Sequence, residues 1–274
     1  MKDNSYKVLI GSPVRQDAVI LKNFLLGLKK LETGSLGQVD FYFIDNNTAA
    51  ESSQLLIDFA EESASAIICR FTDEKPYLTN GYTHIWEEEL IWKVAGFKNK
   101  IIDKAVKDDY AYLFLVDSDL VLHPETLGHL ISLQKDIVSE VFWTKWEPDF
   151  PKLPQVWVSD QYNLYENPSR ENLNPEQILQ RVQAFLEKLQ VPGVYPVGGL
   201  GACTLISRNA LLAGVNYKEI YNLSFVGEDR HFCIRAAALG FTLFADTHYP
   251  AFHLYRLSDL AGLADFQHKV KAKI

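Results

Sequence analysis

The sequence predicts an α/β fold in which a mostly parallel sheet is flanked by helices. The first observation is an alternation of short apolar runs with segments of helical periodicity along the first half of the chain. The second is that polar clusters directly follow three of the predicted strands. The third is length, because 274 residues suffice for one large α/β domain whose core needs no disulfide or structural metal.

The first half of the chain has the most regular pattern. Strands are predicted over residues 7–12, 39–44, 66–71 and 111–116, and helices over residues 17–31, 53–62 and 83–108. In a parallel sheet the ligand crevice lies at the carboxyl ends of the strands. The polar clusters that follow the first, second and fourth strands are therefore expected to meet at one edge.

The second half is less regular. A helix is predicted from Pro124, with proline at its first position, and others over residues 175–190, after an Asn174 cap, and 229–239, before Gly240. Strands are predicted over residues 137–142, 203–206 and 241–245, and an amphipathic basic tail follows from residue 258. Since no repeat or low-complexity linker interrupts the chain, we expect a single unit over residues 1–274.

Composition and charge exclude several classes of protein. A formal net charge of −8 argues against a non-specific nucleic-acid binder. The cysteines are Cys69, Cys203 and Cys233, a sparse odd set that suits a reducing compartment. No apolar run is long enough for a signal peptide or a bilayer span. These features predict a cytoplasmic protein without a transmembrane segment, and the basic tail leaves weak membrane-surface contact as a minor option.

The segment Val116-Asp117-Ser118-Asp119 places two carboxylates just after a buried strand. If the chain stays extended there, Asp117 and Asp119 point the same way. Two carboxylates on one face repel unless a cation lies beside them, and hard divalent ions prefer oxygen ligands. The alternative is an acidic turn that leads into the next helix.

Two further positions carry candidate catalytic or ligating groups. Glu228 and Asp229 begin a predicted helix, where acidic residues suit the helix dipole, but a carboxylate there also suits a general base. His253 follows the last predicted strand and could bind a Mn²⁺-like ion, although it could equally be a packed histidine. No ligand spacing is apparent for the other histidines, His84, His123, His129, His231, His248 and His268.

Asx, glycine and tryptophan clusters have competing interpretations. Asp45 and Asn47 could form an Asx-turn or contact a base or ribose. Gly198 and Gly199 could allow close backbone approach to a ligand or could form a tight turn. The tryptophans Trp143, Trp146 and Trp157 lie in or near a proline-rich segment, where they could pack in the core or face a sugar ring.

Taken in order, these motifs resemble the inverting nucleotide-sugar glycosyltransferases of family 2 and their GT-A-fold relatives. The resemblance rests on order and spacing, because each motif is short. The matching segments are Val8-Leu9-Ile10-Gly11-Ser12-Pro13, Phe43-Ile44-Asp45-Asn46-Asn47, Val116-Asp117-Ser118-Asp119, Gly198-Gly199, Ser207-Arg208-Asn209-Ala210-Leu211, Gly227-Glu228-Asp229, Leu239-Gly240-Phe241 and His253.

The resemblance implies a GT-A-like, Rossmann-like fold with a nucleotide-binding half (1–122), a smaller mixed acceptor-binding half (123–257) and a helical tail (258–274). It implies a hexosyltransferase that uses a UDP- or GDP-linked sugar donor, a hydroxyl acceptor such as a glycan, and Mn²⁺ or Mg²⁺. The implied metal ligands are Asp119 and His253, with Asp117 in or near the metal shell.

Other roles follow from the same resemblance. The implied donor contacts are Pro13, Arg15, Asp45, Asn47, Asp117, Gly198 and Gly199. Asp229 would be the catalytic base, and Glu228 beside it would order the acceptor. Trp143 and Trp146 would contact the acceptor.

Two departures from the family 2 pattern keep alternatives open. The first motif reads Ser12-Pro13-Val14-Arg15 and is closer to the retaining Anp1-type mannosyltransferases of the fungal Golgi, and the region over residues 142–195 is longer than in minimal relatives. A retaining mannosyltransferase-like enzyme is therefore an alternative. A sugar-phosphate nucleotidyltransferase and a non-catalytic carbohydrate-binding protein are others.

Overall fold

The computed structural model describes residues 6–34, 36–63, 65–72, 85–147, 149–159, 161–167, 170–224 and 227–273. The strands are β1 (Lys7–Val14), β2 (Gln38–Asp45), β3 (Ala66–Arg70), β4 (Tyr112–Val116), β5 (Leu120–Val121), β6 (Ile137–Thr144), β7 (Leu153–Pro154), β8 (Val156–Trp157), β9 (Val194–Val197), β10 (Gly199–Leu200), β11 (Cys203–Ser207) and β12 (Leu243–His253). The helices are α1 (Ala18–Lys29), α2 (Ala50–Glu62), α3 (Glu88–Lys107), α4 (Thr126–Ser132), α5 (Pro175–Lys188), α6 (Arg208–Ala213), α7 (Glu228–Ala238) and α8 (Leu260–Lys273), and a short 3-10 helix covers Leu257–Asp259.

One large sheet joins both halves of the chain in the order β3-β2-β1-β4-β11-β6-β12-β5. The strands from β3 to β4 are parallel, and β6 and β12 are also parallel. Antiparallel β11 joins these two groups, and β5, β7 and β9 add antiparallel edges. The predicted α/β fold with helices flanking the sheet is confirmed, and its mixed strands lie in the second half.

The sheet buries side chains on both faces because successive residues of a strand alternate in direction. Leu9 packs with residues of α3 and α7, whereas its neighbours Val8 and Ile10 pack with residues of α1, α2 and α4. Both faces are thus covered by helices, as parallel strands require. The carboxyl ends of the strands remain available for a ligand.

Local signals set several helix ends where the sequence places them. The Asp17 side chain accepts a hydrogen bond from the Val19 N–H at 2.8 Å and caps α1. Asn174 and Gln177 form a reciprocal capping box at the start of α5. After α7, Gly240 has φ of +88°, a left-handed conformation that glycine adopts without strain.

Four local predictions are corrected. Helix α3 begins at Glu88 rather than at residue 83, and positions 83 and 84 lie outside the described residues. Helix α4 begins at Thr126, so Pro124 precedes the helix instead of occupying its first position. Strand β12 runs to His253, well beyond the predicted end at residue 245. The segment after β4 is a turn in which the Leu120 N–H donates to the Asp117 carbonyl oxygen at 3.3 Å, so Asp117 and Asp119 do not share an extended strand.

Helix α8 packs its apolar side against the rest of the protein. Leu263 and Phe266 belong to a small cluster with Ile20, Val121 and Leu254. Part of the apolar side of the predicted basic tail is therefore packed within the protein. Within the described residues, every helix is too short or too polar to cross a membrane.

Candidate active site

A cavity of about 490 Å³ opens at the carboxyl ends of β1 and β4. It lies where parallel sheets with flanking helices bind their ligands. Seven of the predicted site residues line it: Pro13, Arg15, Asp117, Asp119, Trp146, Glu228 and Asp229. Motifs from opposite ends of the sequence therefore meet in one cavity.

Asp119 lines this cavity, and His253 lies directly beside it but is not itself part of the lining that the structure describes. His253 Nε2 is 3.3 Å from Asp119 Oδ2, and the two side chains are only 8% and 17% exposed. Antiparallel pairing of β5 with β12 sets His253 opposite Leu120, the residue after Asp119. The other ring nitrogen, Nδ1, lies 2.8 Å from the Thr144 hydroxyl oxygen, which orients the imidazole.

The chemistry of this pair fits a divalent cation. Asp119 Oδ1 is buried and has no hydrogen-bond partner among the residues that the structure describes. An unpaired buried carboxylate oxygen is costly, and a cation would satisfy it. One imidazole nitrogen and carboxylate oxygens suit Mn²⁺, and the carboxylates also suit Mg²⁺.

Asp117 is held in an unusual electrostatic environment. Burial raises the pKa of its carboxyl to about 8, and the nearby Asp119 carboxylate adds to the rise while Lys98 opposes it. Its backbone N–H donates to the Ala202 carbonyl oxygen at 3.4 Å, which ties the turn after β4 to the segment before β11. Clustered buried carboxyls of this kind are typical of functional sites.

Lys98 forms ion pairs with both acidic residues at the start of α7. Its Nζ lies 2.7 Å from Glu228 Oε1 and 2.8 Å from Asp229 Oδ1, and its side chain is 3% exposed. Burial alone would lower the Lys98 pKa, but the Asp229 and Glu228 carboxylates hold it well above its usual value. Lys98 is therefore a permanent cation in the wall of the cavity.

The Asp229 carboxyl is tuned by two opposing effects. Burial raises its pKa to about 6, and the Lys98 ammonium limits that rise. Lys98 contacts Oδ1, and 23% of the Asp229 side chain stays exposed at the cavity. A carboxyl with a pKa near the working pH is suited to accept a proton.

Asp45 and Asn47 lie behind the cavity wall instead of in it. Asp45 Oδ1 accepts hydrogen bonds from the Asn47 backbone and side-chain N–H groups at 3.0 and 2.8 Å, and Arg70 pairs with the other oxygen. Asn47 Oδ1 in turn accepts from the Gln16 N–H at 2.8 Å. Of the two alternatives that the sequence allows for Asp45 and Asn47, these bonds show the Asx-turn. Asn46, which lies between them in the chain, lines the cavity.

Gly198 and Gly199 are likewise not part of the cavity lining that the structure describes. A Cβ on Gly199 would lie 1.9 Å from the Trp157 ring, and one on Gly198 would lie 2.0 Å from the Val158 carbonyl oxygen. Strand β10 pairs with β8, so the close approach is to Trp157. The lack of side chains at Gly198 and Gly199 therefore leaves room for β8 and its Trp157, which itself lines the cavity.

The two predicted acceptor tryptophans have different positions. Trp146 lines the cavity. Trp143 lies on β6, pairs with Pro154 and packs against the core cluster that contains Trp157. Only the first of the two is thus in a position to touch a ligand in this cavity.

Sequence reasoning missed Lys98 and Tyr162, which also line the cavity. Lys98 follows Ile91 and Ala95 at helical spacing on the buried side of α3. A lysine at a core position is a signal that could have been read, since such residues need a charged partner. Tyr162 lies in an irregular loop, and its ring packs against Trp157 with a centroid distance of 4.3 Å and an angle of 47° between the ring planes.

The sequence shows no ligand spacing for His129 and His248, but the structure brings the two histidines together. Together with Asp246 they bring three potential ligand atoms within 4.8 Å of one another. The signal was Asp246-x-His248 on a strand, where residues two apart share a face. His129 comes from α4 and could not be linked to that pair by spacing.

Comparisons with known proteins give matches at the level of structure. No protein-family model matches the chain, and no curated protein matches its sequence. The mannosyltransferase PcManGT from Pyrobaculum calidifontis, solved in complex with GDP-Man and Mn²⁺, is similar with a TM-score of 0.54 and 10% identity over 92% of this chain. Residues 1–349 of TarS from S. aureus are similar with a TM-score of 0.51 and 11% identity over 90% of this chain.

The fold is therefore GT-A-like, as the sequence motifs implied. The chain spans 58% of the solved mannosyltransferase chain and 60% of the solved TarS chain. At such low identity the similarity establishes the fold, and function has to be argued from the site.

Proposed function

We propose that this protein is a metal-dependent glycosyltransferase that moves a sugar from a nucleoside-diphosphate sugar to an acceptor hydroxyl. The observation that carries the proposal is the contact of His253 with Asp119, which lines the cavity and whose Oδ1 is buried and unpaired among the described residues. A fold shared with a mannosyltransferase solved with GDP-Man and Mn²⁺ supports it.

Asp119 and His253 are the residues that would hold Mn²⁺ or Mg²⁺, with Asp117 next to them. A bound divalent ion would supply Lewis-acid stabilisation of the negative charge that develops on a diphosphate leaving group. Lys98 adds a fixed positive charge to the same cavity. The base and ribose would lie along Pro13, Arg15 and Asn46 at the ends of β1 and β2.

Asp229 is the proposed general base. It would accept the proton of the acceptor hydroxyl as the acceptor oxygen forms a bond to the anomeric carbon and the bond from that carbon to the diphosphate oxygen breaks. The products are the glycosylated acceptor, the nucleoside diphosphate and a protonated Asp229. This single displacement inverts the anomeric configuration. Glu228 shares Lys98 with Asp229 and helps to fix its position.

Both halves of the chain contribute to this proposed reaction. Residues 1–122 supply the donor side, and residues 123–257 supply Trp146, Glu228, Asp229 and His253. We propose that they work as one unit, because β4 and β11 pair directly and the sheet runs through both. We also propose a reducing, cytoplasmic compartment, since all three cysteines are free thiols.

Donor binding is the first test. Thermal unfolding is measured with GDP-mannose, UDP-sugars and dTDP-sugars, each with and without Mn²⁺. We expect one donor class to raise the melting temperature only when Mn²⁺ is present, because a ligand of the native state stabilises it. Asp119→Ala should lose this shift, and Asp103→Ala, at an exposed position of α3, should keep it. An unchanged shift in Asp119→Ala would contradict the proposal.

Transfer is the second test. Asp229→Asn should bind the donor normally but transfer sugar more slowly by on the order of 10²-fold or more. The anomeric configuration of the product, read by NMR, should be inverted. Retention would favour the mannosyltransferase-like alternative, and release of pyrophosphate from a nucleoside triphosphate and a sugar phosphate would favour a nucleotidyltransferase. Glycan binding with no donor turnover would favour a non-catalytic protein.

A further inference from the structure

A cluster of two histidines and one aspartate lies apart from the cavity. His129 Nε2 is 3.1 Å from Asp246 Oδ2, and His248 Nδ1 is 2.8 Å from the same oxygen. None of the three residues lines the cavity described above. They come from α4 and from the middle of β12, whereas His253 is the last residue of that strand.

The backbone brings these three side chains together. Asp246 pairs with Glu140 of β6 and with Val194 of β9, and it is completely buried. Residues two apart on a strand share a face, so His248 lies beside Asp246. The register between β12 and β6 shifts after Asp246, which lets this segment depart from the regular ladder.

The ligand atoms are held in place before any ion binds. Asp246 Oδ1 accepts the His248 backbone N–H at 3.0 Å, which leaves Oδ2 facing both imidazoles. The His129 and His248 rings lie 4.7 Å apart, and the His129 ring also packs edge-on against Tyr249 at 5.1 Å. Ring packing of this kind restricts the rotation that a free imidazole would have.

The donor set and its spacing select the type of ion. Two imidazole nitrogens and one carboxylate oxygen suit Zn²⁺ or a similar transition metal better than Mg²⁺ or Ca²⁺, which prefer oxygen. A zinc ion about 2.1 Å from each ligand would place ligand atoms about 3.4 Å apart. The two histidine–aspartate separations of 3.1 and 2.8 Å are close to that value, and all three ligand atoms lie within 4.8 Å of one another.

One coordination position would stay open to solvent. The Asp246 side chain is fully buried, but those of His129 and His248 are 21% and 36% exposed. A three-ligand zinc site with an accessible fourth position can bind water or an anionic group. The buried carboxylate at its base also supplies negative charge that two neutral imidazoles lack.

We propose that His129, Asp246 and His248 form a second metal site, for Zn²⁺ or a similar transition metal, separate from the sugar-nucleotide cavity. The proposal does not depend on the proposed glycosyltransferase activity. It assigns ligands that the Mn²⁺ or Mg²⁺ site does not use.

The test uses the full chain, stripped of metal with a chelator and titrated with Zn²⁺ by calorimetry. The Asp119→Ala/His253→Ala variant removes the first pair of candidate ligands, so any zinc that it binds must be elsewhere. We expect this variant to bind one equivalent. Adding His248→Gln should abolish that equivalent, and adding His268→Ala, at an exposed histidine of α8, should leave it unchanged.

Co²⁺ provides a readout that a purely structural role would not change. Bound to the site, Co²⁺ should show the visible absorption of a four-coordinate ion, and His129→Gln or His248→Gln should each remove it. Circular dichroism checks that these variants are folded. If His129→Gln does not fold, the cobalt spectrum of His248→Gln alone tests the site, because His248 is partly exposed and its replacement disturbs the core less. Absence of zinc binding in Asp119→Ala/His253→Ala, or an unchanged cobalt spectrum in folded His248→Gln, would mean that the cluster is a hydrogen-bonded network only.

Discussion

His253 Nε2 lies 3.3 Å from Asp119 Oδ2, and the next backbone N–H, that of Leu254, donates to the Asp119 carbonyl oxygen at 2.8 Å. The two residues are thus held together by both side chain and main chain. Because the pairing of β5 with β12 sets this register, the proposed metal ligands would not have to be assembled by the ion. Preorganised ligands bind with a smaller loss of conformational entropy.

The Thr144 hydroxyl is expected to tune metal affinity without touching the ion, because it orients His253 through Nδ1. Thr144→Val should weaken Mn²⁺ binding by about 10- to 100-fold, the range typical of partners that position a ligating histidine. Calorimetric titration with Mn²⁺ measures the effect. Thr33→Val, in the loop after α1, is the matched control, and equal affinity in both variants would contradict the orienting role.

The pKa of Asp229 predicts the acid side of the pH profile. With a pKa raised to about 6, the carboxyl loses its basic form as the pH falls below that value. We expect kcat/KM for the acceptor to fall about tenfold per pH unit in this range. Steady-state rates between pH 4.5 and 8, taken at about half-unit intervals, measure it. A flat profile would exclude Asp229 as the base.

Replacing Lys98 should move that profile. In Lys98→Met the ammonium no longer lowers the Asp229 pKa, so the acid limb should shift to higher pH. Loss of one partner of a buried ion pair should also destabilise the fold by about 3–5 kcal/mol. Lys100→Met, at an exposed position of the same helix, should change neither property.

A double variant separates the charge effect from lost packing. Lys98→Met/Glu228→Gln removes one of the two carboxylates that Lys98 neutralises, so it should regain part of the stability lost in Lys98→Met. Urea unfolding measures both. If the double variant is no more stable than the single one, uncompensated charge is not the cause of the loss.

Two glycine substitutions should have opposite effects on stability. Gly199→Ala would drive a Cβ to 1.9 Å from the Trp157 ring, and overpacking of this kind costs about 1–3 kcal/mol. Gly96→Ala, inside α3, meets nothing within 4 Å and should stabilise by about 0.4–1 kcal/mol. Thermal unfolding compares them. A stabilising Gly199→Ala would show that Trp157 does not need the space.

Replacing each of the two tryptophans predicted as acceptor contacts should affect a different property of the protein. Trp146→Ala removes a cavity wall and should raise KM for the acceptor or donor with little change in melting temperature. Trp143→Ala removes a core contact and should instead lower the free energy of unfolding by up to about 3 kcal/mol. The reverse assignment of KM and stability effects would contradict this division.

Much of the fold follows from the sequence because its signals are local. The order of strands and helices in the first half, the Asp17 and Asn174 caps and the α7 stop at Gly240 all come from short-range patterns. The antiparallel insertion of β11 between β4 and β6 could not be read, since it depends on contacts between distant segments. The extent of β12 was missed for the same reason.

The residues of the candidate site likewise divide into those that local sequence signals predict and those that depend on contacts between distant segments. Carboxylates after β4 and at the start of α7 were found because acidic residues at strand and helix ends have a recognisable chemistry. Motif order predicts donor contacts for Asp45 and Gly199, but Asp45 is bonded to Asn47 and Arg70, and Gly199 approaches Trp157, which lines the cavity. Lys98 is not predicted by apolar periodicity, because it is a charged residue at a buried position of α3.

Strand β12 carries candidate ligands of both proposed metal sites, Asp246 and His248 near its middle and His253 at its end. The irregular stretch between Asp246 and Ala251 sets the spacing between the two groups. Since a shift of one residue turns every later side chain to the opposite side of a strand, deletion of Pro250 would face His253 away from Asp119 while leaving Asp246, His248 and Tyr249 in place. The number of residues between His248 and His253 is consequently what keeps the two groups of candidate ligands in separate places.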